Sequence, residues 1–269
     1  MSQTLALSLV TILLAGCAGI EAPSPLAGKP IAAPSREYRV TLHRWEVGDS
    51  LRYTLERFSE ATVGARVDRR RNTFDVRYSG RRRTVEGHVQ VGVFIDDLEQ
   101  LWAVFDREGQ FVDSTTTEET ADLVVPLWRF WSAFGRYWNG RVLASDVPQT
   151  VGFPRRQVLA VSVDGGLPPE SAALARDISV ASRLVSYHQL AGRQTAVIEA
   201  DVANVVLKPA AMWIARQRVT AEYISNESRY HVDTVRGFLV ASYSLTRVTG
   251  LAGKDRFAYR EIDVLQWKP

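Results

Sequence analysis

The sequence has a single cysteine in 269 residues, Cys17, which excludes an internal disulfide, a paired-thiol redox centre and any zinc site built on several thiolates. Histidine is scarce too. His43, His88, His188 and His231 stand apart, without the HExxH or His-x-His spacing of a metal centre, and read as ordinary strand residues. The GxSxG elbow, the GxxxxGKS/T phosphate loop and the GxGxxG strand-to-helix turn are all missing, so the common hydrolase, nucleotide and dinucleotide signatures are absent. Asp96-Asp97 and Glu118-Glu119 are adjacent carboxylates, and neighbours in a strand or helix point apart rather than forming a catalytic pair. Charge of one sign is also lacking: 33 Lys and Arg against 30 Asp and Glu give +3, too little to argue for nucleic acid. The expectation is a non-enzymatic protein with no catalytic residue, no metal, no cofactor and no nucleic-acid partner.

What is present is an ordinary globular composition, 46% hydrophobic and 23% charged. Leu5 to Leu14, LALSLVTILL, is mostly apolar and too short to cross a bilayer as a helix, which is the pattern of an export signal. Leu14-Ala15-Gly16-Cys17 then resembles the bacterial lipobox, although Met1 to Thr4 lack the basic residues usual before it. The resemblance implies cleavage before Cys17 and acylation of its thiol, with residues 1–16 as signal peptide. Acyl chains contribute about 0.8 kcal/mol per buried methylene, so the mature chain would be held in a membrane. Ala18, rather than Asp, implies the outer membrane, with the body facing the periplasm.

Residues 17–36 form the lipidated terminus and a stretch with Pro23, Pro25, Pro30 and Pro34, which reads as a spacer. The body, 37–269, is read as one β-rich domain, with 37–140 and 141–269 as two candidate lobes. Tyr38, Val40 and Leu42 alternate with polar residues, as do Leu51, Tyr53 and Leu55, and the run Val85 to Ile95. Asp106 to Gly109 reads as a hairpin turn. Tyr187 to Leu207, Val219 to Ile224, Leu239 to Leu245 and Phe257 to Tyr259 continue the same alternation, with Ser242, Ser244 and Thr246 on the polar side. The turn recurs loosely, as FDREGQFVDS at 105–114 and VDTVRGFLVAS at 232–242.

One helix is expected, capped at Thr116 and Glu119, with Leu123, Leu127, Trp128, Trp131, Phe134 and Trp138 at helical spacing. A shorter one is expected at Pro169 to Arg176. The aromatic helix has three readings: a core helix packed on the sheet, the wall of an apolar ligand cavity formed by Trp128, Trp131, Phe134 and Trp138, or a membrane-interface element. From Arg66 to Arg83 there are eight Arg and two Asp, a local charge of +6. These read either as solvated hairpin turns or as an anion-binding surface formed by Arg69, Arg70, Arg71, Arg81, Arg82 and Arg83.

The expected fold class is mainly β: a curved antiparallel sheet or incomplete barrel with a central aromatic helix. Export signal, lipobox, spacer and β-rich body together resemble periplasmic lipoproteins of the LolA/LolB and LppX type. That resemblance implies a half-barrel holding a lipid or another hydrophobic ligand. The alternative is a structural or assembly lipoprotein that binds an envelope protein or an anionic polymer through its Arg-rich hairpins.

Overall fold

The computed structural model describes residues 21–115, 138–145, 148–153, 178–214 and 217–269. Every regular element among them is a strand: β1 Lys29–Ile31, β2 Glu37–Arg39, β3 Ser50–Val63, β4 Arg66–Arg83, β5 Val89–Ile95, β6 Leu98–Phe105 and β7 Phe111–Thr115 in the first half. The second half contributes β8 Val142–Ala144, β9 Gln149–Phe153, β10 Ile178–Leu190, β11 Arg193–Ile214, β12 Gln217–Asp233, β13 Leu239–Ala252 and β14 Asp255–Lys268. Twelve strands make one antiparallel sheet in the order β1-β10-β11-β12-β13-β14-β3-β4-β5-β6-β7, with β9 also on β10, while β2 pairs with β8. The sheet is not closed into a barrel, and β14 against β3 makes the two strand sets continuous. The expected central helix has no counterpart among the described elements; its residues 116–137 lie outside the described residues, as does the short helix at 169–176.

Two turns show that the sheet curls. Asp106 and Asp233 each accept backbone N–H bonds on Oδ1, from Glu108 and Gln110 in one turn and from Val235 and Arg236 in the other. Gly109 (φ +81°) and Gly237 (φ +70°) complete these turns, and both press on one segment. A Cβ on Gly109 would lie 2.4 Å from the His43 carbonyl oxygen, and one on Gly237 would lie 2.5 Å from that of Thr41. The turns follow β6 and β12, which a flat sheet would hold six strand spacings, about 29 Å, apart. Only a strongly curved sheet brings them to adjacent residues. The loose sequence recurrence thus corresponds to a shared structural role, pinching Thr41 to His43.

The wrapped segment is the heart of the main core. Tyr38, Val40, Leu42 and Trp45 are buried with Leu55, Tyr78, Val91, Phe105, Trp138, Leu143, Leu184 and Ile198. Its alternation is genuine, but strand structure ends at Arg39, because beyond it the backbone bonds to turns instead of a ladder: His43 N–H donates to the Gly237 carbonyl at 3.0 Å.

Other expected boundaries also move. Val85 is fully exposed in a turn closed by Gly87 (φ +81°), and β5 starts only at Val89. The run Tyr187 to Leu207 is broken by a turn at Ala191 and Gly192, both at positive φ. Asp96 and Asp97, also at positive φ, form the β5–β6 turn, as expected where a two-residue hairpin must follow the strand twist. The basic stretch forms a single strand, β4, rather than two hairpin turns. Lys29–Ile31, within the Pro-rich stretch, pairs with β10 instead of standing free. Pro30 is tolerated there because an edge strand need not donate on its open side.

Candidate functional site

Strand register determines what the inner face presents. Ser182, Ala200, Ser228, Ser244, Asp263 and Arg57 are opposed in one row across β10, β11, β12, β13, β14 and β3. All six are buried. Alternation along β3 explains the position of Arg57: Leu51, Tyr53 and Leu55 point inward, so the next residue of that phase does too. In β13 the inward phase is Ser242, Ser244 and Thr246, while Tyr243 and Leu245 face outward, the reverse of the sequence expectation.

The row is held by charge and hydrogen bonds. Arg57 donates from Nε to Asp263 Oδ1 at 2.7 Å and from Nη2 to Oδ2 at 3.1 Å, with Glu261 Oε2 3.8 Å away. Burial acts to lower the guanidinium pKa, but Asp263 and Glu261 more than offset it, so the net shift is upward and the charge is kept. Tyr259 donates to Glu261 at 2.8 Å. Asn226 donates through Nδ2 to Ser244 and Thr246, both at 3.0 Å, and Ser228 donates to Asn226 Oδ1 at 2.8 Å. Asn226 and Ser228 of the Asn226-Glu227-Ser228 sequence, which matches a glycosylation sequon, are thus part of this network, while Glu227 faces outward to Arg247. The Ser182 and Ser242 hydroxyls are buried and find no partner among the described residues.

Apolar fields flank the polar residues. On one side Leu184, Ile198, Tyr230, Leu265 and Leu55 lead into the main core. On the other, Ile224, Val248, Tyr259 and Ala61 share a row, followed by Ala221 and Phe257, all buried.

The outer face differs. Ala22 and Leu26 pack on a small apolar patch of Phe58, Leu245, Ile262 and Val264. Two polar grooves flank this segment, about 380 Å³ lined by Thr54, Glu56, Arg71 and Gln266, and about 230 Å³ lined by Glu199, Asp201, Glu227 and Arg229. At the β10 side, the structure brings together two histidines that looked isolated in sequence. The rings of His188 and His231 lie 5.5 Å apart. Burial, then His188, then Arg229 push His231 down to about 4, and burial followed by Arg229 also lowers His188. His43 lies in the wrapped segment beside Asp49, at 3.2 Å, not in a strand.

Every Arg of the predicted anion surface already has a partner. Arg69 binds Glu60 (2.6 Å), Arg70 Asp68 (2.9 Å), Arg71 Glu56 (2.7 Å) and Arg81 Glu99 (2.6 Å); Arg83 pairs with Glu46, and Arg82 donates to Gln90 (2.6 Å). Of the predicted aromatic wall, Trp138 lies in the main core with no exposed surface. Trp128, Trp131 and Phe134 lie outside the described residues, as does Cys17. Sequence reading passed over Arg57, Asp263 and the inward serines. The available signal was a charged residue falling on the apolar phase of an otherwise regular alternation.

Fold and face define the class: a mainly β protein built on one open, curled antiparallel sheet with a polar row inside. No family model matches the chain, and no curated protein matches it. Among solved structures it is similar to lipovitellin, described for its lipid–protein interactions, with 8% identity and a TM-score of 0.45 over 83% of this chain and 25% of that one. It is also similar to a DUF1329 family protein from Desulfovibrio piger, with 11% identity and a TM-score of 0.21 over 81% and 84% of the two chains. The chain spans about a quarter of lipovitellin. Neither likeness is close enough to carry a function across.

Proposed function

We propose that this is a lipid-anchored protein of the bacterial cell envelope that binds a hydrophobic ligand on the inner face of its sheet and catalyses no reaction. Cys17 would carry the acyl anchor, in the outer membrane and facing the periplasm. The observation supporting a binding role is the second apolar field, Ile224, Val248, Phe257 and Tyr259, set beside a buried polar row that carries the hydroxyls of Ser182, Ser228 and Ser244, of which that of Ser182 finds no partner among the described residues. An amphiphile suits such a face, its chain on the apolar field and its polar end at the hydroxyls. Trp128, Trp131 and Phe134 are the sequence candidates for the same apolar wall. The test is to extract the purified protein with organic solvent, identify lipids by mass spectrometry, and titrate the delipidated protein with fatty acid while following Trp emission. Copurifying lipid and a saturable emission change, lost in Trp131→Ala with Phe134→Ala, are expected; absence of both defeats the reading.

One observation favours the scaffold alternative for the other half of the face. There the chain fills its own hollow, with Val40, Trp138 and Leu143 wholly buried. If charge reversal at Arg70 and Arg82 removes a crosslinked envelope partner while lipid is never found, the assembly role replaces the binding role.

A further inference from the structure

The Pro-rich stretch lies across the outer face of the sheet. It begins at β4, where Arg71 Nη1 donates to the Glu21 carbonyl at 3.4 Å. Ala22 and Leu26 then rest on Phe58, Leu245, Ile262 and Val264 of β3, β13 and β14. Pro25 roofs the groove over β11, β12 and β13. Gly28 passes so close to β10 that a Cβ there would lie 2.8 Å from His188 Cβ, and Lys29 to Ile31 finish as an edge strand opposite Gln189 to Tyr187. The segment therefore spans the strands from β4 to β10, and its small residues suit this close passage.

This path has a consequence for the anchor. Cys17 precedes Glu21 by four residues, which reach at most about 14 Å when fully extended. Were the whole stretch free up to Glu37, twenty residues would allow about 70 Å. We propose that residues 21–31 are a stay which fixes the body on the bilayer, so that the outer face of β3 and β4 around Arg71 lies against anionic lipid headgroups. This rests on acylation of Cys17. The surface suits that partner: Arg69, Arg71 and Arg260 are 48%, 44% and 42% exposed, and share Glu56 and Glu60 as their carboxylate partners. Exposed pairs of this kind are worth at most about 1 kcal/mol, so their guanidinium groups exchange readily to phosphate oxygens.

The test uses the lipidated protein in phosphatidylglycerol–phosphatidylethanolamine vesicles carrying a headgroup energy-transfer acceptor. Acylation consumes the only native thiol, so a single introduced cysteine takes the donor dye. Thr73→Cys places it on the outer face of β4, and Val235→Cys in the β12–β13 turn, which curls away from that face to meet the wrapped segment at the Thr41 carbonyl. Transfer is expected to be severalfold stronger from position 73. Gly28→Val with Leu26→Asp, which blocks the passage at His188 and removes the apolar foothold, is expected to erase that difference while the β circular dichroism persists. Equal transfer from the two positions in the native stay, with the protein floating on the vesicles, overturns the stay alone. Failure to float overturns the anchor reading and the stay together.

Discussion

Strand β3 carries ion pairs on both of its faces, and the two faces use them differently. On the inner face Arg57 and Asp263 are almost without solvent contact and lock β3 to β14 in a bidentate pair. On the outer face Arg69–Glu60 and Arg71–Glu56 join β3 to β4 at similar distances, but in water. A buried pair gains strength in a low dielectric only after a large desolvation cost, whereas an exposed pair costs and gains little. The density of Arg in a sequence therefore says less about importance than the phase of a single Arg within its strand.

Four experiments test that contrast. The largest effect is expected from Arg57→Met, which strands the Asp263 carboxylate in the interior and should lower the unfolding free energy by about 3–5 kcal/mol. Adding Asp263→Leu should restore most of it in guanidinium chloride unfolding. A loss below 1 kcal/mol for the single variant would erase the distinction between the faces. Next comes pH. Native His231 protonates near 4 while the unfolded chain takes up that proton near 6.5. Stability should therefore be full above about pH 6.5 and fall as pH drops towards 4, by at most about 3 kcal/mol from this group. Urea midpoints measured from pH 7.5 to 4 should show that slope, and His231→Gln should flatten it.

Third is Gly237→Ala, which combines a positive φ with a clash against the Thr41 carbonyl and should cost about 2–4 kcal/mol. Gly140→Ala, at positive φ in open space, should cost only about 1 kcal/mol by thermal unfolding. Equal losses would mean that the wrapped segment does not hold the turns. The smallest effect is expected from Arg69→Ala, below about 1 kcal/mol and vanishing in high salt. A salt-independent loss in a double-mutant cycle with Glu60 would show that the outer pairs matter more than their exposure implies.

Much of the sheet was legible in the sequence because period-two alternation survives wherever one face is buried. Leu51, Tyr53 and Leu55 and the Asp106 to Gly109 turn are found as expected. Other features were hidden for specific reasons. Tyr38 to Leu42 alternates because it is wrapped by the sheet, which no local pattern distinguishes from joining it. Pro30 concealed an edge strand, since proline argues only against a central one. The inward hydroxyls of β13 inverted the reading of its faces, because two apolar residues on the other side, Tyr243 and Leu245, pack against the N-terminal stay or its small patch. The Arg57–Asp263 pair joins residues 206 positions apart, beyond the reach of any local signal.

The proposed envelope role and the proposed orientation on the bilayer both rest on lipid attachment at Cys17. Metabolic labelling with a palmitate analogue in a bacterial host should mark the native protein and leave Cys17→Ala unmarked. A native protein that carries no label while accumulating at normal levels would contradict the account.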